Sequence, residues 1–493
     1  MKEGLRFDWY EKLYHPFFEP IVQALLEDCS STYSNKSSVR EEQLTNLIEI
    51  VVSSLYSSYY SLPFGTQFVS YPLSPKYYKL DDPTKVNFNS DYAALIFDTL
   101  KDRKWISIVL GRQQQGHTRI RASGGLKKLF IEAGLKWSPP EPKDRGKLVV
   151  LRDRKLNPVK KFKKKYIKFD VPVPDSTEVE AYRDELDTFN KFLIQNCISL
   201  NLKNDQLEQL ATDLRNRREN EASDDDQLRD ATLDFSRVQL RRIFSRGVMT
   251  KGGRFYGGWW QSLPGMYRGH ILINDKKTVE VDYSGMSLRI FAALQGKELP
   301  IDKDIYNLDF EDWQDRQDPR RKPIKTFVNA ILNDEQGNYR LSKTKQALTG
   351  LTHEQLKDRL FETYEWLEKA IHAGVGLDTQ FYDSQIAMTV MKEMIADGIL
   401  VLPIHDSFIV RSGFQQLLET KMKEAFYAHL ERWVSTSVDG TRLSKHFSLE
   451  KEDFAPLHPT NNDIVNLASV DIYSDDSSVM EGYVSYWQPL SKI

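Results

Sequence analysis

The segment Ile399–Val410, ILVLPIHDSFIV, constrains the fold of this chain more than any other segment. Two apolar runs flank His405 and Asp406, which predicts a strand, a tight turn and a second strand. A lone buried carboxylate at such a turn costs several kcal/mol unless it is paired or binds a metal ion. We therefore expect a buried hairpin that holds Asp406 at the end of an antiparallel sheet.

A second segment, Thr278–Arg289, reads TVEVDYSGMSLR and changes its periodicity in the middle. A β-type run delivers Asp282 at its end, and helical spacing begins at Met286. A carboxylate at a strand end that faces a cleft is a natural metal ligand, and Asp282 lies 124 positions before Asp406. Carboxylates from two separate strands can bridge a pair of Mg²⁺ ions, with Mn²⁺ as an alternative.

A third segment, RKPIKTFVNAILN, places polar residues at every fourth position. Once helical, such residues share one face. Pro323 is tolerated only in the first turn of a helix, so Arg321 is expected at the helix edge. The polar residues of this face are Arg321, Lys325, Asn329 and Asn333.

These segments, in this order, resemble the family-A DNA polymerases and their relatives, the phage-type single-subunit RNA polymerases. Asp282-Tyr283-Ser284 is similar to the first palm motif, and His405-Asp406-Ser407-Phe408 to the second in its RNA-polymerase form. The third segment is similar to the fingers helix that grips the incoming triphosphate. Gly253-Arg254 and Gln261 resemble a segment that contacts primer and template, and Gln385 matches a polar residue on the helix before the second palm motif. The resemblance covers about residues 240–430.

The resemblance implies an α+β right-hand polymerase, with a palm built on an antiparallel sheet, reduced helical fingers and a helical thumb-like region. It implies a template-directed nucleotidyltransferase that adds nucleoside monophosphates from NTPs or dNTPs to a 3′-hydroxyl. The expected catalytic residues are Asp282, Asp406 and Lys325, and the expected metal ligands are Asp282, Asp406 and a carbonyl near Tyr283. Nucleotide contacts are expected from Arg321, Lys325, Asn329, Asn333 and Ser287, and primer or template contacts from Arg254, Gln261, Gln385 and His405.

The sequence departs from the DNA-polymerase pattern at the sugar-selecting position. DNA enzymes of the family usually carry a Glu five residues after the first Asp, where it excludes a ribose 2′-hydroxyl, whereas this chain has Ser287. Asn329 and Asn333 replace an aromatic residue and a tyrosine. We favour a DNA polymerase and keep two alternatives: a primase or single-subunit RNA polymerase, and a catalytically retired nucleic-acid-binding replication protein.

The N-terminal part carries a concentrated positive charge. Residues 101–168 contain 21 Lys or Arg against 5 Asp or Glu, although the whole chain has a formal charge of −2. A helix followed by two β-like runs, Ile106–Leu110 and Thr118–Arg121, predicts a winged-helix-like module that contacts DNA, or alternatively RNA. The expected nucleic-acid contacts are Arg112, Arg119, Arg121, Lys160, Lys161, Lys163, Lys164 and Lys165.

Composition and periodicity predict five regions. They are a helical region 1–90, the basic winged-helix-like module 91–170, a helical thumb-like region and linker 171–233, the palm and fingers 234–458, and an acidic, partly disordered tail 459–493. Before residue 234 we recognise no proofreading exonuclease motif. Two distant cysteines exclude a disulfide framework, and the absence of a secretory signal or apolar span predicts a cytoplasmic protein without membrane partners.

Overall fold

The protein has a mixed α+β fold with antiparallel and mixed sheets. No helix among the described residues combines the length and apolar character that a membrane crossing needs. The lysine run 160–165 and the stretch 459–493 lie outside the described residues. The computed structural model describes residues 5–6, 16–32, 38–62, 68–71, 90–110, 118–133, 147–156, 166–221, 233–235, 237–300, 303–313, 315–335, 339–370, 373–434 and 449–451.

One hydrophobic core holds the N-terminal third together. Apolar positions of α3 at helical spacing, including Ile96 and Leu100, pack against α1, α2 and one face of a small sheet of order β1-β3-β5-β4. The core runs across residue 90, so the boundary expected there falls inside one packed unit. The elements are β1 (Leu5–Arg6), a 3-10 turn (Pro16–Phe18), α1 (Glu19–Thr32), α2 (Ser38–Tyr59), β2 (Ser61–Leu62), β3 (Val69–Tyr71), α3 (Ser90–Asp102), β4 (Ile106–Val109), β5 (Thr118–Ala122) and α4 (Gly124–Ala133).

A second sheet, of order β11-β10-β6-β7, follows in the chain. Strand β10 runs parallel to β6, and the other pairs are antiparallel. Strand β6 and most of β7 fall within the basic module expected over 91–170, but β6 pairs with β10 and β7 pairs with β6, in a sheet separate from that of β4 and β5. The elements are β6 (Val149–Leu156), β7 (Tyr166–Val171), α5 (Thr177–Ile194), β8 (Ile198–Leu200), α6 (Asn204–Glu221), β9 (Leu233–Asp234), β10 (Arg241–Ser245) and β11 (Val248–Tyr256).

The largest sheet has the order β14-β15-β13-β12-β8, and β16 also pairs with β13. Strand β8 interrupts the helical thumb-like region expected within 171–233, because Ile198 and Leu200 are apolar and pair with β12. The remaining elements are α7 (Trp259–Ser262), α8 (Gly265–Arg268), β12 (Ile271–Ile273), β13 (Lys276–Tyr283), α9 (Met286–Leu294), α10 (Arg321–Asn333), α11 (Lys343–Thr349), α12 (His353–Thr363), a 3-10 turn (Glu365–Ala370), α13 (Gly376–Ala396), β14 (Val401–Ile404), β15 (Ser407–Arg411), a 3-10 turn (Ser412–Phe414), α14 (Gln415–Val434) and β16 (Leu449–Lys451).

The helical segment between β13 and α13 has a core of its own. Phe291 on α9, Phe327 on α10 and Leu360 on α12 are buried in it. Glu335, just after α10, ties this segment to the second sheet because it accepts hydrogen bonds from Arg154 of β6 and, at 2.5 Å, from Arg246. The segment is therefore a separate packed layer that is anchored to its neighbour by charge.

Candidate active site

Asp282 and Asp406 lie side by side at one end of the largest sheet. Strands β13 and β15 are antiparallel with Asp282 opposite Ser407, and the N–H of Tyr283 donates to the carbonyl oxygen of Asp406 at 3.2 Å. Directly opposed residues of such strands have Cα atoms about 4.5–5.5 Å apart. Two aspartates that are far apart in sequence are thus neighbours in the folded backbone.

Burial distinguishes these two residues from the sequence around them. Between 281 and 290 only Asp282 and Ser287 are partly accessible, and between 401 and 410 only His405 and Asp406 are. The apolar residues of β14 and β15 are buried on both faces, so the hairpin is fixed in the core while its turn is left open. Asp282, Ser287, His405 and Asp406 are therefore the residues of these two segments that solvent reaches.

The turn depends on an unusual backbone at His405, whose φ is 60°. Left-handed φ values are uncommon outside glycine, but histidine adopts them more readily than bulky apolar residues. The imidazole packs edge-on against the Tyr256 ring at 5.3 Å, and its Nδ1 has no hydrogen-bond partner among the described residues. Burial, with the positive charge of Arg254, lowers the pKa of His405 to about 4, so the ring is neutral near pH 7.

Glu280 is a third carboxylate on the face that carries Asp282. It is buried, and it accepts hydrogen bonds from the Ser407 hydroxyl at 2.5 Å and from Nη1 of Arg268 at 3.1 Å. Glu280 was not among the expected site residues. The two-residue period of TVEVD could have identified it, because alternate residues of a strand share a face.

A buried ion pair stands beside the Asp406 turn. Nε of Arg254 on β11 lies 2.9 Å from Oδ2 of Asp383 on α13, and Nη2 also donates to that oxygen. Burial raises the pKa of Asp383 to about 6, against the opposing effect of Arg254. Burial alone would lower the pKa of Arg254, but the charges of Asp383 and Asp406 outweigh it and raise that pKa. Arg254 is therefore a fixed cation next to Asp406.

Arg242, on strand β10 next to β11, is a second buried cation. Its guanidinium lies 4.2 Å from the centre of the Tyr182 ring, and it donates to the Gly253 carbonyl at 2.8 Å and to Oγ of Ser384 at 3.0 Å. Burial lowers the pKa of Arg242 to about 10, which still leaves it charged at neutral pH. Gly253 has a φ of 83°, and a Cβ there would lie 3.0 Å from the Ser384 hydroxyl, so glycine permits this close approach of β11 to α13.

The side chain of Gln261, an expected primer or template contact, is engaged within the protein. Its side-chain oxygen accepts from the N–H groups of Gly257 and Gly258, and its amide nitrogen donates to the carbonyls of Phe255 and Pro403. The side chain thus joins β11 to the strand before the His405 turn. In this arrangement Gln261 supports the backbone on both sides of the site. Gln385 is partly accessible and donates to the Tyr182 hydroxyl at 3.0 Å.

The expected polar stripe forms along α10. Arg321 and Lys325 are partly accessible, and Asn329 and Asn333 are exposed. Helix α10 begins at Arg321, whose Nε donates to Asp304 at 2.5 Å. The other end contacts α13, the helix that carries Asp383. The two helices approach closely there, since a Cβ on Gly376 of α13 would overlap the Asn333 amide. Helix α13 therefore links the stripe to the carboxylate end of the sheet.

Tyr283 and Ser287 occupy contrasting positions after Asp282. The Tyr283 ring is buried and its hydroxyl donates to the Met422 carbonyl at 2.6 Å, so only its main chain can serve a metal ion. Ser287 lies in the first turn of α9 and is partly accessible.

The donor set suits a hard divalent cation. No cluster of three or more His, Cys, Asp or Glu side chains that could hold a metal ion occurs among the described residues. Mg²⁺ does not need one, because it keeps several waters and is bound through one or two carboxylates together with substrate phosphates. Two partly accessible carboxylates, Asp282 and Asp406, fit that requirement.

The expected nucleic-acid contacts are described only in part. Arg119 and Arg121 lie on β5, whereas Arg112, Lys160, Lys161, Lys163, Lys164 and Lys165 lie outside the described residues.

Comparison with known proteins gives little. No family model and no curated protein matches this chain. Among solved structures, the POL domain of Pol1 from M. smegmatis, in complex with DNA primer-template and dNTP, matches with a TM-score of 0.25 and 15% sequence identity. The match covers 87% of this chain and 64% of that chain, so this chain spans less than two thirds of that domain. A TM-score of this size does not establish a common fold.

Proposed function

We propose that this protein is a template-directed nucleotidyltransferase of the right-hand polymerase type, with DNA synthesis favoured over RNA synthesis. The observation that carries the proposal is the adjacency of Asp282 and Asp406 at the accessible end of a buried sheet: Asp282 pairs with Ser407 across β13 and β15, and the Tyr283 N–H donates to the Asp406 carbonyl. Two partly accessible aspartates beside the buried cation Arg254 suit a site for phosphates and divalent cations.

Each side chain has a distinct task in this proposal. Asp282 and Asp406 would hold two Mg²⁺ ions, which would supply a lower pKa for the primer 3′-hydroxyl and positive charge against the leaving pyrophosphate. Lys325 and Arg321 offset the charge that develops on the triphosphate. Arg254 fixes the position of Asp406, and the neutral His405 orients the primer end. The new bond joins the primer 3′-oxygen to the α-phosphorus, the bond from that phosphorus to pyrophosphate breaks, and the hydroxyl proton passes to solvent.

Primer extension tests the proposal. Primed and unprimed DNA templates are incubated with dNTPs or NTPs, with added Mg²⁺ or Mn²⁺ or with EDTA. We expect extension of the primed template by dNTPs and none in EDTA. Extension by NTPs alone, or synthesis on the unprimed template, would instead favour a primase or single-subunit RNA polymerase, the alternative that the small, accessible Ser287 supports. No incorporation under any condition would contradict both.

Ser287→Glu is expected to lower ribonucleotide use. A glutamate in the first turn of α9 would occupy the space beside the nucleotide sugar, so the ratio of kcat/KM for NTP over dNTP should fall by about tenfold or more. Single-nucleotide incorporation measures this ratio. Ser287→Ala is the control, since it adds no bulk and should leave the ratio unchanged. An unchanged ratio in Ser287→Glu would place residue 287 away from the sugar.

A further inference from the structure

The small N-terminal sheet has two chemically different faces. Val69 and Ile120 are cross-strand partners, and both point into the core. Because side chains alternate along a strand, the neighbouring residues point the other way. On that opposite face Arg119 stands between Ser70 of β3 and Val109 of β4, and Arg121 stands opposite Ser107. We call this surface the outer face of the sheet.

An aromatic ring lies among the arginines of the outer face. Phe68 directly precedes β3 and is half-buried. The guanidinium carbon of Arg121 lies 5.1 Å from the centre of its ring, and that of Arg119 lies 5.9 Å away. Guanidinium groups within about 6 Å of an aromatic ring are attracted to it, which keeps both cations on this side of the sheet. The outer face thus combines a ring with two positive charges.

Helix α3, which precedes the sheet strand β4, carries mainly negative charge on its exposed side. In a winged-helix arrangement α3, which directly precedes β4, is the helix placed to enter a DNA groove. Its exposed positions include Asp91, Asp98 and Asp102, against a single exposed lysine, Lys101. Duplex DNA carries dense negative charge, so it would be repelled from this helix. Helix α3 is therefore unsuited to enter a DNA groove. The positive charges that could meet phosphates, Arg119 and Arg121, lie on the outer face of the sheet instead.

We propose that the outer face binds a single, unpaired nucleic-acid strand, with a base stacked on Phe68 and flanking phosphates on Arg119 and Arg121. An aromatic ring can stack on the face of a base only where that face is not covered by the next base pair, which favours an unpaired strand over a duplex. Arginines beside the ring neutralise the backbone of the same strand. This site goes beyond the proposed polymerase activity and does not depend on it.

Binding of fluorescent oligonucleotides to the full chain tests the site. Three probes of about 12 nucleotides are used: single-stranded DNA, single-stranded RNA and duplex DNA. This length is within the range that one single-strand-binding surface covers. EDTA is present and nucleotides are omitted, so the readout does not require catalysis. We expect Phe68→Leu to weaken single-strand binding by about tenfold and Phe68→Tyr to retain it, because tyrosine still stacks. The DNA and RNA arms show which sugar is preferred.

The charged residues give a second readout. Arg119→Gln with Arg121→Gln should weaken binding and reduce the slope of log affinity against log salt by about 1–2. Phe68→Leu should leave that slope unchanged. Lys101→Gln on α3 is the matched control, and it should bind as the unmutated protein does. Thermal melting checks that each variant is folded.

Photocrosslinking locates the contact directly. An oligonucleotide that carries 5-iodouridine should crosslink to the peptide containing Phe68, and the crosslink should be lost in Phe68→Leu. The proposal is overturned if Phe68→Leu and the double arginine variant bind single strands normally, if duplex is bound more tightly than single strands through the same residues, or if the crosslink maps elsewhere.

Discussion

Replacing either Asp282 or Asp406 with asparagine is expected to reduce nucleotide incorporation by about 10³-fold or more. Asparagine keeps the shape of the side chain but removes the negative charge that would hold the cations in the proposed site. Both residues are partly accessible, so unfolding free energy should change by less than about 1 kcal/mol. Single-turnover primer extension measures the first effect, and urea unfolding measures the second.

Asp397→Asn is the matched control, because this aspartate is exposed at the end of α13 and its loss changes the net charge equally. It should leave incorporation within about twofold of the unmutated rate. Normal synthesis by Asp282→Asn and Asp406→Asn would contradict the proposed site. Absence of synthesis even from the unmutated protein, with DNA binding retained, would support the catalytically retired alternative.

Asp383→Leu is expected to destabilise the protein by about 3–5 kcal/mol, because it leaves the buried Arg254 without its carboxylate. Urea unfolding near pH 7 measures the loss. Adding Arg254→Met to Asp383→Leu should recover most of the stability, since the buried charge is then removed as well. The double variant should still be inactive if Arg254 positions Asp406, which separates a functional role from a structural one.

Asp187→Asn provides the comparison for a pair at the surface. Asp187 and Lys191 are neighbours on one turn of α5, 2.7 Å apart, with the lysine 62% and the aspartate 16% accessible. Removing such a pair costs about 0–1 kcal/mol. If Asp383→Leu were no more costly than Asp187→Asn, the Arg254 pair would not be rigidly held. If the double variant synthesised normally, Arg254 would have no part in the reaction.

Local patterns predicted the elements of the site well. The alternation before Asp282 gives β13, the spacing after Met286 gives α9, and the apolar runs around His405 give β14 and β15. Pro323 correctly limited the start of α10 to Arg321. These features depend on residues within one or two turns or strands, so a single sequence contains them.

Long-range partners were not predictable from the same patterns. Asp383 is one polar residue on a helix, and nothing near it in sequence indicates that it pairs with Arg254, 129 positions away. Strand β8 is only three residues long, and it is a strand because β12 pairs with it. Gln261 belongs to a sequence motif that suggests a nucleic-acid contact. Its side chain forms hydrogen bonds to backbone groups, including the Pro403 carbonyl, which is distant in sequence.

The pairing of β13 with β15 also affects when the site can exist. When synthesis has reached residue 283, the chain contains the first carboxylate, Asp282. The second, Asp406, is present only after 123 further residues have been added. Closing so long a loop costs little more free energy than closing one half as long, but long-range strand pairing is slow to form. A nascent or truncated chain that ends before Asp406 therefore carries only one of the two carboxylates, and the proposed site can form only after Asp406 has been added.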